Sequence, residues 1–591
     1  MNRHANRAAS ALLSIGSLIL PAVATAVAPQ DEGAAVRFTN RAQVNIINVD
    51  VVVSDGKDPL ASGLRAADFE LLVDGQPVPI THFFAPSEDG FMPPKITGTH
   101  ESESFGESSS TAAEQERYLV IFVDNRGGRP LIRDEALREL GADLPSYLAG
   151  GRRVMLVSQS DEIRVLHRFG DDPGELAVSL AELAGTTVGG SSLVTERAEI
   201  LRAIDRTSFY ADPDKDRFST NLEVDPAIPG LQNEARSLLQ RTRNYADSML
   251  HDLRERLAVM TQFQASLAGL PGNKAMLYIG EGFNTRPGED LFRIWEQRYP
   301  DLGEEMFFSS DGETSRYRID EELDELVSQA NASGVTCYTL YTAGSERFSS
   351  LSAKSSGAAG ASTTATSGRR AVEDSLGILA SATGGLALSP GGDLGAAVAR
   401  LPAEIGTYYS LGFEPIGRDD QTTHRIEVKV KREGLGVRHR EFYRFKSADE
   451  LMSEFTYAAL LFEPGANPLE AAISLKEIEE RERGRFEVSV AVTVPLAKLA
   501  LVPYRGTHVG RVKVFFAVQD RRGWASAVRS QSFPVHIPNA SLLTALGQDA
   551  TFSWKLLARS GPQELAVTLR DDLGEIASAV RLGFDIPESK D

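Results

Sequence analysis

Three stretches of the chain place oxygen and nitrogen side chains directly after apolar runs, where a buried strand ends and a solvent-facing site can begin. Tyr118 to Val123 runs into Asp124-Asn125-Arg126-Gly127-Gly128, Arg153 to Val157 runs into Ser158-Gln159-Ser160-Asp161, and Lys274 to Ile279 runs into Gly280-Glu281-Gly282. Between the second and third stand Thr186 and Thr187. The guanidinium of Arg126 is a planar donor fork that fits a carboxylate, and Asp124 or Glu281 would be its partner within this set.

The usual signatures of catalysis are missing. The chain has no Gly-x-Ser-x-Gly elbow, no Walker loop and no His-Glu-x-x-His, and one cysteine cannot build a Cys-based zinc cluster. Nine histidines are scattered, and His82, His167 and His439 sit in or beside strand patterns as structural residues. Carboxylate pairs abound in so acidic a chain, and nothing singles one out as a glycosidase pair. No catalytic residue is assigned, and the expectation is a protein that is not an enzyme.

The elements that must carry these residues alternate between strands and helices from Tyr118 onward, the grammar of a parallel sheet covered on both faces. Tyr118 to Val123 is continuously apolar, as a central strand is. Arg133 to Leu148 has leucines at helical spacing with Pro145 set to shorten or kink it. Ala246, Leu250, Leu253, Leu257, Met260 and Leu267 form one long helical seam, which Gly269 and Pro271 end. Helices are expected over 319–332, 372–382 and 394–401, and a strand over Val335 to Tyr341 that buries Cys337.

The flanks read as β structure. Before the α/β region, Val44 to Val53, Phe69 to Val73 and Val78 to Phe84 are strands, the last two joined by the hairpin signal Asp74-Gly75. After it, Ile426, Val428 and Val430 alternate with charged residues. Both flanks are amphipathic and need a partner sheet, so 37–85 is predicted to pair with 405–446 in one sandwich. Residues 86–116 read as an acidic, Ser-rich linker, 205–230 and 345–368 as inserted loops, 447–465 as a helical connector, and 466–591 as a C-terminal β-sandwich.

Length and composition agree with several globular domains: 591 residues, 42% hydrophobic and 24% charged. Residues 1–26 read as a secretory signal, with Arg3 and Arg7 before a short apolar run and Ala24-Thr25-Ala26 at its end. The expected setting is therefore outside the cytoplasm: secreted, periplasmic or on the cell surface, with no integral membrane segment once the signal is removed. A net charge of -20 argues against nucleic acid as a partner.

On these residues and their order, the stretch from 117 to 404 resembles a von Willebrand factor type A domain. The chain as a whole is similar to the acidobacterial-type bacterial proteins with a VWFA-related domain. That likeness rests on Asp55-Gly56, Gly63-Leu64, Asp68-Phe69, Ala382-Thr383-Gly384-Gly385 and Tyr408-Tyr409-Ser410-Leu411-Gly412-Phe413. The resemblance implies a multi-domain α/β plus all-β architecture: a doubly wound, Rossmann-like type A domain with flanking immunoglobulin-like sandwiches. It also implies a metal-ion-dependent site of Asp-x-Ser-x-Ser, Thr and Asp. Here both serines are missing and Glu281 replaces the Asp, so Asp124, Thr187 (or Thr186) and Glu281 would form a degenerate site for Mg or Ca.

The implied function is binding: adhesion or scaffolding through a protein or other extracellular ligand held by Asp124, Arg126, Thr186, Thr187 and Glu281. Two other readings are an accessory subunit of an envelope assembly or export machine, and an unrecognised hydrolase.

Overall fold

The computed structural model describes residues 46–56, 63–86, 116–126, 130–160, 163–186, 192–210, 228–342, 372–389, 393–414, 422–462, 466–482, 484–520 and 525–587. The expected signal (1–26), most of the linker at 86–116 and the loop at 345–368 lie outside them. The chain divides into two compact units. One comprises Asn45–Ala265 and Pro271–Phe445, and the other Lys446–Asp591 with Ser266–Leu270.

The first unit begins with β1 (Ile47–Ser54), β2 (Phe69–Val73), β3 (Gln76–Val78) and β4 (His82–Phe84). Its α/β part follows as β5 (Arg117–Asp124), α1 (Pro130–Ala142), α2 (Leu144–Leu148), β6 (Arg152–Gln159), β7 (Ile163–Gly170), α3 (Pro173–Ala184), α4 (Ser192–Tyr210), α5 (Ile228–Leu267) and β8 (Asn273–Gly280). Next come α6 (Glu289–Arg298), α7 (Pro300–Glu305), α8 (Ser310–Thr314), α9 (Asp320–Ser333), β9 (Val335–Tyr341), α10 (372–382), β10 (Ala387–Leu388) and α11 (Leu394–Gly406). The unit closes with β11 (Tyr409–Phe413), β12 (Thr423–Val430), β13 (Gly436–His439) and β14 (Phe442–Arg444).

The α/β part is a six-stranded sheet in the order β10-β9-β8-β5-β6-β7. All neighbours are parallel except the edge strand β7, which runs antiparallel to β6. Alternation along β5 decides what each face receives. Leu119, Ile121 and Val123 pack with Leu137 and Leu140 of α1, Leu180 of α3 and Leu401 of α11. Phe122 points to the other face, where Phe263 of α5 meets it with ring centroids 5.7 Å apart. Both faces are thus covered, which is why β5 is apolar from Tyr118 to Val123.

The flanking strands form two four-stranded sheets, β13-β1-β11-β4 and β14-β12-β2-β3. β1 pairs with β11 and β2 with β12, both antiparallel, so the strands before the α/β part bond to the strands after it. Val49, Val51, Leu71, Leu411, Ile426 and Val428 share one core between the sheets. The two-residue turn Asp74-Gly75 has φ of 50° and 77°, the left-handed pair that a tight hairpin needs.

Three expectations within this unit change. The stretch read as one strand from Val78 to Phe84 is divided between β3, which ends at Val78, and β4, and the two lie in different sheets. The region read as an inserted loop at 205–230 is entered by α4, which runs to Tyr210, and left by α5, which starts at Ile228; 211–227 lie outside the described residues. The stretch read as one helix from Arg133 to Leu148 is two, α1 and α2, because Asp143 interrupts the helical backbone and Pro145 takes a first-turn position where its missing N–H costs nothing.

The second unit contains α12 (Ala448–Leu461), opened by a capping box between Ser447 and Glu450. β15 (Ala472–Glu482), β16 (Arg485–Pro495), β17 (Val502–Tyr504), β18 (Thr507–Asp520), β19 (Arg529–Pro538), α13 (Leu542–Ala545), β20 (Asp549–Arg559), β21 (Gly561–Asp571) and β22 (Ile576–Ile586) follow. They form the sheets β15-β16-β20 and β17-β18-β21-β22, with β19 also on β18. Val488, Val490, Phe516, Phe552, Trp554 and Val567 fill the space between them.

Candidate functional site

Asp124 is the last residue of β5, the strand from which the sheet order runs out in both directions, to β6 on one side and β8 on the other. Open α/β sheets leave a crevice beyond the carboxyl ends of the strands at such a point. Alternation turns Asp124 to the same face as Phe122, and hence toward α5. On that helix Asp252, Arg256 and Phe263 recur at four and seven residues and so share one stripe. While Phe263 packs on Phe122, Arg256 lies over the strand end.

The Arg256 guanidinium donates to Oδ2 of Asp124, and the Tyr278 hydroxyl of β8 donates to the same oxygen at 2.7 Å. Oδ1 of Asp124 accepts the backbone N–H of Arg126 at 3.0 Å. Arg126 turns its guanidinium elsewhere, with Nη1 on Asp252 at 2.5 Å and Nε on the Ser160 carbonyl at 2.5 Å. A second guanidinium nitrogen of Arg256 stands 3.9 Å from Asp252. Asp124, Arg256, Asp252 and Arg126 therefore alternate in sign along a row of two carboxylates and two guanidiniums, and the Arg126 backbone N–H ties its end back to Asp124.

This corrects the pairing expected from sequence. The cation on the Asp124 carboxylate is Arg256, carried in by the long helix, and Arg126 reaches Asp124 through its backbone N–H. Side-chain exposure is 1% for Asp124 and 10% for Arg256, so the pair is buried. Burial opposes the charge on Arg256, but Asp124, then Tyr278 and Asp252, outweigh it and hold its pKa above the ordinary range. For Tyr278, burial first and Asp124 second push the phenol well above its usual value, so it stays protonated and donates. The ring of Phe283 lies 5.7 Å from the Arg256 guanidinium carbon.

A second network braces the other side of the loop. Asn125 donates from Nδ2 to Ser158 Oγ at 2.9 Å and accepts from Arg133 of α1 at 2.7 Å. Arg133 also donates to the Thr186 carbonyl at 2.8 Å. The Thr186 hydroxyl is spent on the Leu183 carbonyl at 2.7 Å, closing the end of α3.

Of the residues singled out from sequence, Asp124, Arg126 and Thr186 are drawn into these networks. Glu281 is half-buried and lies one residue past Gly280. Thr187 lies outside the described residues. Gly280 itself is required: a Cβ there would sit 2.9 Å from Cβ of Asp124 and 2.7 Å from the Tyr278 hydroxyl. Asp252, Arg256, Tyr278, Arg133 and Asn125 were not found from sequence. The available signal was the i,i+4 pair of Asp252 and Arg256, which borders the apolar seam at Leu253 and Leu257.

Among the described residues no group of three or more His, Cys, Asp and Glu is placed to hold a metal ion. The rim carries exposed apolar surface: Leu131, in the first turn of α1 after the Asp124 loop, is 81% exposed. A cleft of about 550 Å³ in the same unit, bordered by Arg425, Glu427, Arg438, His439 and Glu441, shares no residue with this network. Among the described residues no helix is long and apolar enough to cross a membrane.

No protein-family profile matches the chain, and no curated protein is similar to it at a significant level. Among solved structures, the three N-terminal domains of the type V pili tip protein Mfa5 from Porphyromonas gingivalis align with 80% of this chain and 71% of that one. The identity is 11% and the TM-score 0.21, a likeness too low to carry an argument about this chain.

Proposed function

We propose that the chain is an exported, non-enzymatic binding protein whose α/β part is a doubly wound type A-like domain. Its ligand, a protein, is held at the carboxyl ends of β5, β6 and β8 without a divalent ion. The strand order with one antiparallel edge strand supports the type A reading, and the N-terminal sequence supports export. The observation that carries the ion-free reading is the Arg256 guanidinium on the Asp124 carboxylate. A guanidinium supplies there, with fixed geometry, the positive charge that a divalent ion would supply.

With each of the two carboxylates already paired to a guanidinium, this network has no unmet demand for a cation. What the face offers a ligand is its polar loop backbone and the exposed Leu131, with the buried network holding the loops in place. Ligand affinity is therefore expected to be indifferent to chelators.

The test is calorimetric titration of Mg, Mn and Ca into the intact protein, with Asp124→Ala beside it. No saturable heat is expected in either. Saturable binding that disappears in Asp124→Ala would replace this reading with a metal-bridged one. Partner capture from envelope extracts then follows in Mg and in EDTA, with Leu131→Asp as the blinded face. Capture lost in EDTA, or unchanged in Leu131→Asp, would count against the proposed site.

A further inference from the structure

The segment between β8 and α9 carries an aromatic side chain in an unusual place. Helix α7 ends at Glu305 and Met306, and Phe307 follows with φ of 50°. The Phe307 N–H donates to the Glu304 carbonyl at 3.2 Å, and the Phe308 N–H to the Gly303 carbonyl at 2.9 Å. That pair of bonds defines a Schellman motif, whose left-handed residue is ordinarily glycine because a Cβ is crowded there. Among the described residues four other non-glycines have positive φ, namely Asp74, Glu470, Arg505 and Glu575, and all are polar.

The two phenylalanines part at this turn. Phe308 goes inward, its ring 4.9 Å from Trp295 edge to face and 6.3 Å from Phe292. Phe307 goes outward and is 98% exposed. A lone exposed apolar residue is ordinary on a protein surface. Here, however, the backbone works against the residue and no packing compensates it, so folding alone favours glycine at this position.

The surroundings define what would cover the ring. Asp301, Glu304 and Glu305 lie in the same short helix, and Asp311, 87% exposed, opens the next. Arg236 bonds Glu305 at 2.8 Å and Arg293 stands 3.7 Å from Asp311, whereas Asp301 and Glu304 are exposed with no ion pair among the described residues. An anionic lipid surface would be repelled by this collar. A protein surface with an apolar pocket edged by Lys or Arg would meet both the ring and the carboxylates.

We propose that Phe307 is an anchor for a protein partner, inserted into an apolar pocket with a basic rim. The site is separate from the Asp124 face and does not depend on the reading given to it.

The experiment selects a random dodecapeptide display library on the full chain, with counter-selection on Phe307→Gly. Expected are peptides that combine aliphatic or aromatic residues with Lys or Arg, binding Phe307→Gly at least tenfold more weakly and losing a similar factor to Glu304→Lys. The same Phe307→Gly protein is expected to unfold at an unchanged or higher temperature, since glycine suits the turn. No differential enrichment, enrichment of acidic peptides, or a lowered unfolding temperature would overturn the proposal. So would Phe307-dependent co-sedimentation with phosphatidylcholine vesicles, which would make the ring a membrane contact.

Discussion

Arg256 grips the carboxylate of Asp124 from 132 residues further along the chain, and does so with one-tenth of its side chain exposed. Each charge is tolerated in so dry a place because the other is there. Removing either leaves a buried, uncompensated ion, and that asymmetry makes the relationship measurable.

Arg256→Ala is expected to destabilise the first unit by about 3–5 kcal/mol, read from urea unfolding followed by circular dichroism. The double variant Asp124→Asn with Arg256→Met should recover a large part of that loss, because no lone charge then remains buried. A double variant no better than the single would mean that the two groups do not act as a pair.

Gly280→Ala tests the close approach at the end of β8. The added methyl would meet Asp124 and the Tyr278 hydroxyl well inside contact distance. The expected loss is about 1–3 kcal/mol of stability, the usual cost of overpacking. Gly377→Ala, inside α10 where nothing lies within 4 Å of the built Cβ, is the control and should be as stable or up to about 1 kcal/mol more stable, since alanine suits a helix interior better than glycine.

His439 links the two sheets of the sandwich. Its Nε2 accepts the Val428 N–H at 3.1 Å, and Nδ1 donates to the Arg440 carbonyl at 2.8 Å, so the ring is held neutral. Burial, partly offset by the Arg440 carbonyl, lowers its pKa below the ordinary value. The unfolded chain then takes up the proton first as pH falls. This contribution to stability is complete above the unfolded pKa near 6.5 and declines as pH drops from there toward the folded value. Urea midpoints measured from pH 8 to pH 5 should show that decline, and His439→Gln, which keeps an acceptor but cannot titrate, should flatten it.

Cys337 is the chain's single cysteine and is fully buried in β9. Burial pushes its thiol up to about 12, with Thr383 and Gln264 pulling weakly the other way. Ellman's reagent at pH 8 should therefore find no reactive thiol in the folded protein and one per chain in guanidinium. Reaction at a free-thiol rate without denaturant would show that the strand opens.

What the sequence disclosed depended on whether the signal was local. The apolar run ending at Asp124, the Asp74-Gly75 turn and the capped helix at Ala448–Leu461 carry their own chemistry, and each stands where its residues suggested. The C-terminal sandwich was legible as a region more than strand by strand, since Glu477, Glu479 and Glu480 mask the apolar alternation of β15 and Pro534 interrupts β19. The partner of Asp124 was missed for a different reason. Arg256 looks like any solvent-facing arginine beside an apolar seam until the crossing of α5 over the sheet end is known. Phe307 was equally silent, since nothing in Met306-Phe307-Phe308 tells which ring turns outward.

The sandwich of the first unit is stitched across the whole α/β part, with Thr81 hydrogen-bonded to the Gly412 carbonyl 331 positions away. A chain growing from its N-terminus can close the β2–β3 hairpin at once, but must hold β1 and β4 without partners, and β2 without its second one, until β11 and β12 have been made. Closing so long a loop from a random coil is slow. The inserted part shortens it: Arg117 at its entrance lies 5.8 Å from the ring of Tyr408 at its exit, so once that part has folded, the ends it presents are already neighbours. Assembly order is thereby built into the connectivity, with the middle of the chain acting as the splint on which its two flanks are set.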